Sequence, residues 1–186
     1  MDMLEIMATR RSVPPQAMTG PGPDAQEIER MLAIASRVPD HGKLARWRFI
    51  IFEGEARLRA GEAIAAAFAA DKPQADAEAL AYERGRLARA PLAIAIVGRP
   101  GPHPRIPEWE QHMTLGAVGM SLTLAAQAMG YATCWLTEWF SYDRRVLDRL
   151  GLDPSERIAG FLHVGRSEAR PAERDRPDMS RIVSRF

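Results

Sequence analysis

Apolar positions recur along the chain in two rhythms, and the breaks between them fall at glycine and proline. Residues 3–9 carry Leu4, Met7 and Ala8 at helical spacing, which predicts a short helix with those side chains inward, running directly into Arg10-Arg11-Ser12. Pro14, Pro15, Pro21 and Pro23 make the next stretch a loop. Asp24 with Glu27 is a capping-box pattern, and Ile28, Met31, Leu32 and Ala35 supply the stripe of a second helix. That helix must stop near Val38, because the residue before Pro39 is pushed out of the helical region.

Arg48-Phe49-Ile50-Ile51-Phe52 holds a continuous apolar run after its arginine and is closed by Glu53-Gly54, which predicts a buried strand over 48–52. Two alanine-rich helical stretches follow, about 55–70 and 76–87, parted at Pro73. A second strand, 92–97, lies between Pro91 and Gly98, and Pro100, Pro102, Pro104 and Pro107 then make a loop. Pro107 opens a long helix, about 108–129, which Gly130 closes. It is apolar on nearly all faces, so other structure or a partner subunit should wrap it. A third strand over 132–136, a helix over 143–150 stopped by Gly151 and a fourth strand over 158–164 complete the pattern. Four strands interleaved with helices imply α/β or α+β, without a repeat or an internal boundary, so 1–186 is one domain. The tail 166–186 carries six arginines, four acids and two prolines and has little to bury, so it would be stable if it packed along a second subunit.

With 46% hydrophobic and 26% charged residues the chain has a globular balance, and 186 residues are enough for a core without staples. The net charge of +1 provides no global field for a polyanion, so nucleic acid is not expected and any anion must be held locally. The single cysteine, Cys134, excludes an internal disulfide and suits a reducing cytoplasm. No basic region, apolar stretch and cleavage site stand in order at the N-terminus, and the uncharged run 113–129 is shorter than the roughly 20 residues of a membrane span. A cytoplasmic protein without membrane contact is therefore expected. The chain contains no asparagine and only Lys43 and Lys72 beside its arginines, so the placing of individual guanidinium forks matters most.

Several clusters could carry chemistry. Arg10-Arg11-Ser12, at a junction of helix and loop, could cradle a phosphate, or it could simply close a helix whose end favours positive charge. Arg37, Asp40 and His41 gather around the forced turn at Pro39, before Lys43 and Trp47. His103 and His112 flank Glu108 and Glu110, yet no pair has zinc-like spacing and no metal is expected. Trp135-Leu136-Thr137 ends the third strand, where tryptophans either close a core or form a flat wall for a planar cofactor. There is no Gly-x-Gly-x-x-Gly after a strand, no Walker loop and no Gly-x-Ser-x-Gly elbow, which argues against the common dinucleotide, NTPase and hydrolase folds.

In order, Arg10-Arg11-Ser12, Pro39-Asp40-His41 before Trp47, Pro107-Glu108-Trp109-Glu110-Gln111, Gly130-Tyr131 with Trp135-Leu136-Thr137, and Gly160-Phe161-Leu162-His163-Val164-Gly165 resemble the nitroreductase-like FMN family. The likeness spans almost the whole chain and is nearest to the compact single-domain branch of NAD(P)H nitroreductases. It implies an α+β, three-layer α/β/α fold with a mainly antiparallel four-stranded sheet, helices on both faces and an edge strand from the partner's C-terminal tail. It also implies a homodimer with two FMN at the interface, NAD(P)H as reductant and a small-molecule acceptor such as a nitroaromatic or quinone, reduced by ping-pong hydride transfer.

By motif, Arg10, Arg11 and Ser12 would hold the phosphate and the pyrimidine side of FMN, with Trp135, Leu136 and Thr137 beside the same flavin. Arg37 and His41 would reach the flavin bound by the other subunit. Gly165 and Arg166 are candidates for the phosphate end, with Arg174 or Arg176 behind them. The segment Lys43-Leu44-Ala45-Arg46-Trp47 departs from the family's usual asparagine and Gln-Pro-Trp. No catalytic side chain is required, because the flavin carries the chemistry. The 100–107 loop and Trp139-Phe140-Ser141 would shape the acceptor pocket. The alternatives are another flavin reaction, such as dehydrogenation, dehalogenation or flavin breakdown, or a non-catalytic dimeric module with an arginine-rich tail.

Overall fold

The computed structural model describes residues 2–186. A four-stranded sheet runs in the order β1 (Trp47–Glu53), β2 (Leu92–Gly98), β4 (Arg157–Gly165), β3 (Ala132–Leu136), and every neighbouring pair is antiparallel. β2 is buried at every position, which its sequence Leu-Ala-Ile-Ala-Ile-Val-Gly makes possible. Side chains alternate across a strand, so Leu92, Ile94 and Ile96 face one layer while Ala93, Ala95 and Val97 face the other.

The larger residues meet α2 (Ala25–Ala35) and α5 (Glu108–Ala128), which pack together through Ile28, Met31, Val118 and Leu122. The smaller ones leave room for α3 (Glu55–Asp71) and α6 (Arg144–Arg149), and in this layer the rings of Phe140 and Phe161 lie 5.2 Å apart, tilted by 54°. α4 (Ala77–Arg84) lies on α3. This is the three-layer α+β arrangement that the resemblance implied.

The Asp24 capping box forms, its side chain accepting from the Glu27 N–H while Glu27 accepts from the Asp24 N–H. α4 ends at Arg84, short of residue 87, because Gly85 takes the cap and Leu87 turns into the core.

Two expectations about burial reverse. In α1 (Met3–Thr9) only Ile6 is buried, while Leu4 is 74% exposed and Met7 is exposed too, so the stripe read as inward faces outward. β1 is an edge strand in which only Phe52 is buried, because the alternation hidden in the apolar run 49–52 leaves Ile51 outside. α5 is covered on one side alone: Trp109 and Met113 stay exposed, and Met120 and Leu124 are partly covered. The tail also contains a short helix, α7 (Met179–Ile182), that the sequence did not announce. No helix among the described residues is long and apolar enough to cross a membrane.

Candidate functional site

The arginine pair is placed by the strand-like segment C-terminal to it. After α1 the chain runs alongside β3: the Val13 N–H donates to the Thr133 carbonyl at 3.0 Å, and Gln127 Nε2 donates to Thr133 Oγ1 at 2.7 Å and reaches the Arg11 carbonyl at 3.3 Å. Arg10 and Arg11 thereby line a cavity of about 430 Å³, with Ile6, Val13, Tyr131 and Ala132 on the same wall. The start of the tail, Ser167 to Glu173, forms the facing wall.

Arg11 donates to the Ala172 carbonyl, and its guanidinium lies 3.5 Å from Glu173 Oε1. That carboxyl is held below its usual range by the Arg174 N–H and by Arg176, with Arg11 adding to the effect. A negative group is therefore already stable beside Arg11. Ser12 is exposed and is not part of the cavity wall.

Gly165 and Arg166, the residues expected at the phosphate end, are not among those lining the arginine cavity. Gly165 is buried, with Pro91 and Met18 so near that a β-carbon would meet them at 2.7 and 3.0 Å. Arg166 stacks on the Tyr131 ring at 3.9 Å and donates to the Gly130 carbonyl at 3.0 Å. It buttresses the corner before β3, and the tail cation in the cavity wall is Arg170.

β3 carries the chain from Ala132 in the cavity wall to Leu136, about 13 Å at the usual rise. The Trp135 indole is half-buried and borders a cavity with Leu115, Gly116 and Arg157. It is wedged between Gly119 of α5 and Gly160 of β4, where a β-carbon would stand 2.3 and 1.8 Å from the ring, and its Nε1 donates to the Ala159 carbonyl at 3.2 Å. The outward face of β3 is backbone. The Thr133 carbonyl faces away from β4 to accept from Val13, and by the two-residue repeat the N–H and carbonyl of Trp135 face the same way.

Thr137 is exposed, and Glu138 behind it is gripped by Arg86 at 2.6 Å and by Arg89. Trp139 donates to Glu83 at 2.9 Å and lines a cavity with Phe68, Lys72 and Arg86, while Phe140 is fully buried. The 100–107 loop is pinned: Gln111 accepts from the Gly101 N–H at 3.0 Å and donates to its carbonyl at 2.9 Å. Cys134 is buried and burial pushes its thiol pKa up, which makes it an unreactive core residue.

The Pro39-Asp40-His41 turn sits against the first half of α5. Thr114 Oγ1 lies 3.2 Å from the Pro39 carbonyl, and Asp40 accepts from the Ala45 N–H at 2.8 Å. Gly42, Lys43 and Ala45 all have positive φ, at 71°, 54° and 47°. For the two non-glycine residues this costs about 1–2 kcal/mol each, strain of a kind that concentrates at functional sites. His41 Nδ1 lies 2.6 Å from Glu110 Oε2. Arg37 is exposed nearby in sequence.

One protomer thus brings Arg10 and Arg11 together at one end of β3, with Trp135, Leu136 and Thr137 at the other. His41 lines a separate cavity against α5 and shares no wall with the arginine cavity. Glu110, Gln127 and Arg170 were not singled out by sequence reasoning as site residues. The signals for Glu110 were its place in the Trp109-Glu110-Gln111 motif and its nearness to His103 and His112 in sequence.

A sequence profile of the nitroreductase family matches residues 7–166. A relative in Escherichia coli K12, named "Putative NAD(P)H nitroreductase YdjA", is 30% identical over the full length of both chains. The nitroreductase-like family protein from Bacillus cereus has the same fold, with TM-score 0.88 at 20% identity over 100% of this chain and 96% of that one. The FMN and NADPH-dependent nitroreductase NfnB from Sphigopyxis sp. strain HMH superposes with TM-score 0.76 at 20% identity, covering 100% and 99% of the two chains.

Proposed function

The chain belongs to the nitroreductase family, and from that premise we propose that it is an FMN-dependent NAD(P)H oxidoreductase that works as a homodimer. Its electrons pass by ping-pong exchange from the nicotinamide to an acceptor such as a nitroaromatic or quinone. The observation that carries this reading is the cavity at Arg10 and Arg11, where the protein's own Glu173 carboxylate already sits in the place of an anion.

The donor set suits FMN. Two guanidinium groups fit the phosphate, as charge-assisted forks do. The outward backbone of Trp135 supplies a donor and an acceptor for the edge of a planar heterocycle. Bound FMN would supply the exchange of a hydride equivalent, and the protein would supply position and electrostatics.

Dimerisation is supported by apolar surface that a lone protomer leaves open: Leu4 and Met7 of α1, Trp109 and Met113 of α5, and Ile182 and Val183 of the tail. The free edge of β1 is open to a strand from a partner's tail. In that assembly Arg37 and His41 would meet the flavin held by the other subunit, which accounts for their distance from the arginine cavity of their own.

Flavin titration followed by initial rates at varied NAD(P)H and acceptor tests the reading. FMN should be taken up, and double-reciprocal lines should run parallel, as a ping-pong cycle requires. Absence of FMN uptake, or lines that converge, would defeat it.

A further inference from the structure

We propose that Glu110 is the positioning residue for His41: it fixes the proton on Nδ1 and leaves Nε2 as the one ring atom free to meet a ligand. A carboxylate oxygen only accepts, so the 2.6 Å contact from Nδ1 to Oε2 requires the hydrogen to be on Nδ1. The neutral ring then presents a lone pair at Nε2, and the charged ring presents an N–H there. Any proton that His41 takes up or gives away therefore moves at Nε2.

The contact differs from an ordinary surface pair. In the same turn of α5, Glu108 meets His112 at 3.4 Å, the local i,i+4 pairing that helices make readily. Glu110, two residues from His112 and on another face of the helix, reaches a histidine 69 positions away. His41 is presented by the strained Gly42–Ala45 backbone, and its turn is tied to α5 a second time through Thr114 and the Pro39 carbonyl. Its side chain is nevertheless 60% exposed. A turn fastened at both ends holds a ring that is still open to solvent, which suits presentation of a group and not the filling of a core.

His41 and Glu110 line a cavity of about 440 Å³ with Pro39, Met113, Thr114 and Ala117, on the uncovered side of α5. That Nε2 faces a flavin held by the partner rests on the dimeric reading above; the assignment of the ring proton does not.

The test uses full-length protein labelled with 15N-histidine, with His41→Gln identifying the His41 signals among the four histidines. At a pH where the ring is neutral, His41 should show a protonated Nδ1 and a lone-pair Nε2. Glu110→Ala should abolish that preference, and Glu110→Gln, whose amide oxygen still accepts, should restore it. A wild-type ring protonated at Nε2, or a Glu110→Ala ring unchanged, would overturn the assignment.

In parallel FMN titrations, Glu110→Ala should weaken binding about threefold to tenfold, the equivalent of one oriented hydrogen bond, and Glu110→Gln should recover most of it. Equal FMN affinity in all three would overturn the statement that the ring faces the flavin. Failure of the wild type to bind FMN at all would overturn the proposed function, with the labelling result deciding the ring proton separately.

Discussion

Gly119→Ala probes the coupling of the core to the site. The added β-carbon would fall 2.3 Å from Trp135 Cη2, about 1 Å inside an ordinary contact, with Cζ3 and Cζ2 at 2.6 and 2.7 Å. On the far side Gly160 presses the same indole, so the ring cannot retreat without losing its hydrogen bond to Ala159. Overpacking of this kind costs about 1–3 kcal/mol. Against it stands a gain of about 1 kcal/mol for replacing a mid-helix glycine.

The net expectation is a loss of up to about 2 kcal/mol, a fall in Tm of a few degrees for a chain of this size. Because the strain is relieved through Trp135, the β3 backbone beside the proposed flavin should shift. FMN affinity should then drop about threefold to tenfold, as for one misplaced backbone hydrogen bond. Denaturant unfolding and flavin-fluorescence titration read the two effects. A variant about 1 kcal/mol more stable than wild type with unchanged FMN affinity would show that the indole is not wedged as described.

Other residues give further tests. Arg10→Ala and Arg11→Ala should each raise the FMN dissociation constant about tenfold to a hundredfold, the worth of a charged hydrogen bond, while circular dichroism stays unchanged; tight binding by both variants would refute the phosphate role. Met113→Glu puts a charge on the uncovered face of α5 and should shift the assembly from dimer to monomer in light scattering, whereas an unaltered dimer would place the interface elsewhere. His163 is fully buried with neither ring nitrogen partnered among the described residues, and burial, with Arg89 adding, lowers its pKa to about 4. The folded state thus resists a proton that the unfolded chain accepts, so stability is complete above about pH 6.5 and declines toward pH 4, by at most about 3 kcal/mol. Urea unfolding across that range should show the decline in wild type and a flatter profile in His163→Leu; equal slopes would contradict it.

Periodicity made the strands and most helices legible, because each element's burial pattern is written in consecutive residues. It failed where the pattern is ambiguous by nature. Residues 48–52 are apolar at nearly every position and cannot reveal that β1 lies at an edge, and Leu4 and Met7 cannot say whether their hydrophobic partner belongs to the same chain. The arginine pair stood out through its adjacency at the end of a helix. The Glu110–His41 contact and the Glu138 clamp join residues 69 and about 50 positions apart, and no local rule brings such distant side chains together. Glu173 beside Arg11 was equally hidden, since its spacing of 162 residues depends on where the tail folds.

The central claim is that two copies of this chain enclose FMN, with one phosphate at each Arg10-Arg11 pair. Light scattering combined with flavin absorbance on the FMN-saturated protein tests it in one sample. The account predicts a mass twice the 20.6 kDa of the chain and one flavin per chain. A single-chain mass, or a dimer that remains colourless with FMN in excess, would contradict it.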